Sequence, residues 1–135
     1  MTRTFLDSGV LIAAARGNMT QSSAALQILG DRNREFASSA FIQLETLPKA
    51  TYLRQQAEVR FYESFFSDVA IWATELAQII QAGNRIACTY GLNAIDALHL
   101  AAALSVDAQE FVTTEKTTKP MHRVTEIQVV SIASE

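Results

Sequence analysis

Residues 93–104, Asn-Ala-Ile-Asp-Ala-Leu-His-Leu-Ala-Ala-Ala-Leu, read as a helix that is apolar on nearly every side. Asn93 can cap the first turn, and Asp96 then takes the third helical position, a capping-box-like start. No further charge follows until Asp107. A helix that is hydrophobic all round is a buried helix. Asp96 is therefore a carboxylate at the mouth of a buried helix. It needs a partner there: backbone N–H groups, a cation or a metal. An acid in a first turn is common in itself, because the helix dipole favours it. The meaning of Asp96 thus depends on the company it keeps.

Outward from this helix, strands and helices alternate. Downstream, residues 110–114 form a strand that ends at Glu115, residues 116–123 a polar loop with Pro120, and residues 127–132 a last strand. Upstream, residues 74–90 form a long helix with Leu76, Ile79, Ile80, Ile86 and Ala87 inside, weakened by Gly83 and closed by Gly91. Cys88 falls in it as a small core residue. Residues 69–72 are a strand, and residues 55–66 a helix with Val59, Tyr62, Phe65 and Phe66 inward. A helix starts near Ala40 with Phe41, Leu44 and Leu47 on one face, and Pro48 predicts a kink or restart in it. Residues 35–39 are a strand, and a helix capped by Thr20 or Ser22 runs to about Leu29. At the start, residues 3–7 form a strand with Asp7 at its carboxyl end, Ser8-Gly9 a turn, and residues 10–15 a short helix ended by Gly17-Asn18. This alternation argues for one domain over residues 1–135, a three-layer α/β/α sandwich with a mostly parallel central sheet.

Composition sets the bounds. Of 135 residues, 49% are apolar and 19% charged, an ordinary globular balance. The net charge is −3 with no polybasic block, which argues against bulk electrostatic binding to nucleic acid or membrane. The single cysteine cannot form an internal disulfide. The opening apolar run stops at Asp7, too short for a secretory leader, and no run has the length of a membrane span. The chain reads as cytoplasmic.

Asp7 and Glu115 each follow an apolar strand. In parallel α/β sheets the carboxyl ends of strands share one edge, where ligands sit. Asp96 belongs where a helix leaves or meets that edge. Glu45 lies among Phe41, Ile42, Leu44 and Leu47, an unexpected place for an acid unless it points into a polar site. Four convergent carboxylates would raise one another's pKa, and a divalent cation relieves them. Hard oxygen ligands suit Mg²⁺ or Mn²⁺, which can activate water against a phosphodiester. Spacing alone leaves the convergence open. Lys49, Arg85, Lys116 and Lys119 could meet substrate phosphates, or be solvated surface charge. His99 reads as a core histidine bonded locally, since a zinc site needs more partners than His122 and Cys88 provide. Tyr52, Phe61, Tyr62, Phe65, Phe66 and Trp72 read as core, with an interface role open to them.

Four segments together resemble the PIN domain family, especially the toxin nucleases of VapBC-type toxin–antitoxin pairs. Residues 5–12 (Phe-Leu-Asp-Ser-Gly-Val-Leu-Ile) are similar to the family's opening strand, acid, hydroxyl residue and helix. Ser39 to Leu47 is similar to its serine-then-glutamate segment, and residues 96–103 to its third acidic motif. Val112-Thr113-Thr114-Glu115 resembles its strand ending in Thr-x-acid. The resemblance spans essentially the whole chain. It implies a Mg²⁺- or Mn²⁺-dependent endoribonuclease with Asp7, Glu45, Asp96 and Glu115 as the acidic cluster. Ser8 and Thr113 would orient those acids or a phosphate. It also implies a small antitoxin partner and a homodimer. One departure stands out: the fourth acid is usually Asp, and the longer Glu115 reaches further and is less rigid.

Two other classes compete with this reading. A non-catalytic PIN-like module binding RNA or protein would lack metal-dependent cleavage. A phosphatase or phosphoacceptor using Asp7 would form a phosphoaspartate, but Ser-Gly-Val follows Asp7, with no second acid two positions on.

Overall fold

Five strands and six α-helices alternate through residues 1–134, the residues that the computed structural model describes. In chain order they are β1 (Thr2–Leu6), α1 (Ser8–Arg16), α2 (Ser22–Leu29), β2 (Arg34–Ser39), α3 (Ala40–Tyr52), α4 (Gln56–Ser67), β3 (Ile71–Ala73), α5 (Leu76–Tyr90), α6 (Ala94–Ser105), β4 (Glu110–Thr113) and β5 (Gln128–Ser131). A 3-10 turn, Pro120–Arg123, lies between the last two strands.

The sheet order is β3-β2-β1-β4-β5, with every pairing parallel. From β1 the chain builds outward through β2 to β3, then returns past its start to add β4 and β5. Right-handed crossovers therefore put α1–α4 on one face and α5–α6 on the other. Chain order reverses between β1 and β4, and such a reversal leaves a crevice at the carboxyl ends of the two strands.

These two strands are buried on both faces, as central parallel strands are. Phe5 pairs with Phe111 and Leu6 with Val112 in the ladder. All four are 0–1% exposed, and the two phenyl rings stack with centroids 5.7 Å apart. At the amino end of the pair the buried Glu110 is satisfied: Thr4 Oγ1 donates to it at 2.7 Å and Arg34 Nε at 2.6 Å.

α6 is buried along Ala97, His99, Leu100, Ala101, Ala102 and Ala103, as its composition predicts. α5 lies close against it. A Cβ on Gly83 would meet Leu98 Cδ2 at 3.3 Å and the Ala97 carbonyl oxygen at 3.7 Å. Gly83 thus lowers helix propensity but permits this close approach.

Some expectations are corrected. The buried face of α3 is Ile42, Thr46 and Ala50, while Leu44 is 69% exposed. α3 does not restart at Pro48. Pro48 and Leu44 are both exposed, so the Leu44 carbonyl that loses its N–H partner lies on the solvent side. In α5 the inward face is Ile79, Gly83 and Ile86, which leaves Leu76, Ile80 and Cys88 exposed. Of the middle aromatics, Tyr62, Phe65 and Phe66 are core, Phe61 and Trp72 are part-buried, and Tyr52 is 85% exposed.

Candidate active site

Asp7 follows directly on β1 and caps α1. Its Oδ1 accepts the Ser8 N–H at 2.9 Å, and its Oδ2 accepts the Thr113 hydroxyl at 2.8 Å. The Asp7 N–H continues the ladder onto the Val112 carbonyl at 2.9 Å. The carboxylate therefore sits between the carboxyl ends of β1 and β4, and only 8% of the residue is exposed. The Thr113 hydroxyl also accepts the Glu115 N–H at 3.1 Å. One side chain thereby orients an acid and turns the chain after β4. Ser8 contributes its backbone N–H to this arrangement.

The same turn passes very near α1. A Cβ on Gly9 would crowd the Thr114 hydroxyl, so any larger residue there would make that side chain shift. Behind it, the Glu115 carbonyl accepts Ser131 Oγ at 2.7 Å and His122 Nε2 at 3.0 Å.

Glu45 projects from α3 with its side chain 34% exposed, and its Oε1 lies 2.5 Å from Nε2 of His99. His99 is 1% exposed, and its Nδ1 has no hydrogen-bond partner among the described residues. One ligand atom from each of Asp7, Glu45 and His99 lies within 4.8 Å of the others. His99 is buried as expected, but it is bonded across the fold to an acid rather than locally. Its signal was in the sequence: a titratable ring in the apolar stripe of α6, one turn after Asp96.

Asp96 is half-buried and held by its cap. Asn93 Oδ1 accepts the Asp96 N–H at 2.9 Å, and Asn93 Nδ2 donates to Asp96 Oδ2 at 3.0 Å. Its carboxyl is raised above the ordinary range, first by burial and then by the charge of Glu115, with Glu45 adding to this. Asp7 is raised chiefly by burial. His99 and the Thr113 hydrogen bond oppose that, Asp96 adds to it, and the Ser8 N–H lowers it slightly. The four acids thus feel one another at one sheet edge. Among the described residues none of Asp7, Asp96 and Glu115 forms an ion pair, and the partner of Glu45 is His99. Glu110 at the opposite end has Arg34. The carboxyl-edge acids lack such a counterion, and their oxygen-rich set with one imidazole fits a divalent cation.

Of the four candidate cations, Lys49 lines a cleft of 640 Å³ that Glu45 and Arg16 also line. Lys116 and Lys119 are exposed on the loop after Glu115. Arg85 does not reach the acids: Glu126 takes both arms of its guanidinium at 2.9 Å.

Thr113→Val keeps the shape and removes the hydroxyl. We expect it to lower folding stability by about 1–3 kcal/mol, the cost of leaving buried polar groups unpaired. The hydroxyl lowers the Asp7 pKa, so its loss moves the acid limb of any Asp7-dependent activity to higher pH. Urea denaturation and a pH–rate profile read the two effects.

The family model for the PIN domain matches residues 4–124. The chain is similar to a toxin–antitoxin complex from Klebsiella pneumoniae, with a TM-score of 0.72 and 19% identity over 98% of this chain and 99% of that one. It is similar to DNA-bound VapBC from Salmonella typhimurium, with a TM-score of 0.72 and 15% identity over 98% of this chain and 100% of that one. It is also similar to Mycobacterium tuberculosis VapC20, a Sarcin-Ricin loop cleaving toxin, with a TM-score of 0.66 and 14% identity over 93% of this chain and 98% of that one. At such identities the likeness is one of fold. No curated protein matches the sequence.

Proposed function

The chain belongs to the PIN domain family, and from that premise we propose that it is a metal-dependent endoribonuclease, the toxin of a toxin–antitoxin pair. The observation that carries the reading is the meeting of Asp7, Glu45 and His99 at the β1/β4 crevice, with Asp96 and Glu115 beside them and, among the described residues, no lysine or arginine paired with any of these acids. Asp7, Glu45, Asp96 and Glu115 would hold Mg²⁺ or Mn²⁺. A cation held there supplies positive charge against the charge developing on the phosphodiester and makes water a better nucleophile. The protein's own groups do the rest. Ser8 N–H and the Thr113 hydroxyl fix Asp7, and Asn93 fixes Asp96. Lys49, Lys116 and Lys119 hold RNA phosphates on either side of the acids.

The exposed Tyr52 and Leu53 beside the cleft offer apolar surface to a small antitoxin. We take the functional unit to be a homodimer of single-domain chains acting in the cytoplasm. Among the described residues no helix is long and apolar enough to cross a membrane.

The test is RNA cleavage by purified protein with Mn²⁺, Mg²⁺ or EDTA, beside Asp96→Asn. Cleavage that requires metal and disappears in the variant is the expected result. Cleavage that persists in the variant would place the chemistry elsewhere. Folded protein that binds RNA but never cuts it would favour the binding module.

A further inference from the structure

We infer that His99 is itself a metal ligand, so that the centre formed with Asp7 and Glu45 takes an imidazole-accepting cation of the Mn²⁺ type in preference to Mg²⁺. This rests on reading the acidic cluster as a metal centre, and it departs from an all-carboxylate site.

The placement comes first. The ring is carried by the most buried helix of the chain and reaches the site with one nitrogen, within 4.8 Å of ligand atoms on Asp7 and Glu45. Neighbouring ligands about 2.1 Å from a cation lie roughly 3 Å apart, so small side-chain movements close the set. Nε2 and Glu45 Oε1, 2.5 Å apart, leave no room for a water between them. They need to part by only about 0.5 Å to bind one cation side by side.

The second observation concerns what else holds the ring. Both a core histidine and a metal-bound one normally satisfy the second ring nitrogen, so the direction of the first one's bond is what places the ring. Here Nδ1 has no partner among the described residues, and the ring is 1% exposed. Its polar contact is Glu45. Packing alone would be served by a leucine, as at Leu98 and Leu100 on the same helix. A buried polar ring whose hydrogen bond runs to a site acid is placed for the site.

The third observation is the position of the other acids. Asp96 gives one carboxylate oxygen to Asn93, and Glu115 lies beyond the end of β4. Neither belongs to the tight set, which leaves its third position to His99.

Ligand chemistry then selects the ion. Carboxylate oxygens suit both Mg²⁺ and Mn²⁺, whereas imidazole nitrogen suits transition cations and is a poor ligand for Mg²⁺. Two carboxylates and one imidazole therefore favour Mn²⁺ among the two.

The experiment is Mn²⁺ binding by the full chain, read by electron paramagnetic resonance with electron spin-echo modulation, and competed with Mg²⁺. Wild type and His122→Gln should both show the modulation of a directly bound imidazole nitrogen, since the chain has 2 histidines. His99→Gln should lose it and bind Mn²⁺ roughly 10–100-fold more weakly, with Mg²⁺ affinity little changed. The wild-type spectrum reads coordination even if the variant fails to fold. Mn²⁺ that binds wild type through Asp7 with no nitrogen modulation would overturn the role of His99 and leave the carboxylate centre standing. No Mn²⁺ bound to wild type, or binding unchanged by Asp7→Asn, would overturn both.

Discussion

Asp7→Asn should abolish the proposed RNA cleavage, by about a thousandfold, and raise the melting temperature of the metal-free protein. The loss of activity follows from position. Asp7 is the acid buried at the carboxyl ends of β1 and β4, and an amide cannot neutralise a cation there; removing a group that acts on transition-state charge costs on this order. The gain in stability follows from the sign of the pKa shift. Burial raises Asp7 above its ordinary 3.8, so the folded chain holds a proton that the unfolded chain has already lost. Stability therefore falls as pH rises from about 3.8 through the raised value, and the penalty is present in full above it. Asn carries no charge to bury. The variant should be the more stable at neutral pH, and the difference should vanish below about pH 4.

Metal bound at the proposed centre should reverse the comparison. At a hundredfold excess over Kd a cation held there would stabilise wild type by about 2.7 kcal/mol. That is roughly 10 °C for a chain of this size. Asp7→Asn should lack most of that rise. Thermal melts at pH 4 and pH 7.5, with Mn²⁺ and with EDTA, make the check. A variant less stable than wild type at pH 7.5 without metal would show that the buried carboxylate is already compensated by the protein.

Phe111→Ala should cost about 3–5 kcal/mol, the range for emptying a buried aromatic site. The ring is 0% exposed and stacks on Phe5 directly across the β1/β4 ladder. The pair adds about 0.5–1.5 kcal/mol beyond the area it buries, so part of the loss is specific to the Phe5 contact. Out of a total of about 5–15 kcal/mol, this brings the chain near its folding threshold. The ladder also ends at Asp7 and Thr113, so loosening it spreads the two groups that frame the crevice. Urea denaturation should show a lower midpoint with an unchanged slope. Phe111→Leu should lose much less, because it keeps most of the volume. Equal losses in the two variants would mean that the stacking contributes little. Leftover activity in the folded fraction of Phe111→Ala should fall as well, and added Mn²⁺ should restore part of the stability.

Local pattern determined the alternation of elements, the burial of α6, the cap at Asn93 and the place of Asp7 and Glu115 after strands. These follow from nearest-neighbour chemistry: period, caps and breakers act over a few residues. The same pattern carried the family motifs. It could not assign faces where apolar residues exceed what a core can take. Leu44, Leu76, Ile80 and Cys88 sit at helical spacing and point outward, because Ile42, Thr46 and Ala50 on α3 and Ile79, Gly83 and Ile86 on α5, where Gly83 lies against α6, take the buried faces. Only the tertiary structure brought Glu45 to His99, which are 54 positions apart, and Thr113 to Asp7, which are 106 apart. It also drew Arg85 to Glu126 and away from the acids. Those pairings depend on where the strand order reverses between β1 and β4. That reversal is a property of the assembled sheet, which no single segment specifies.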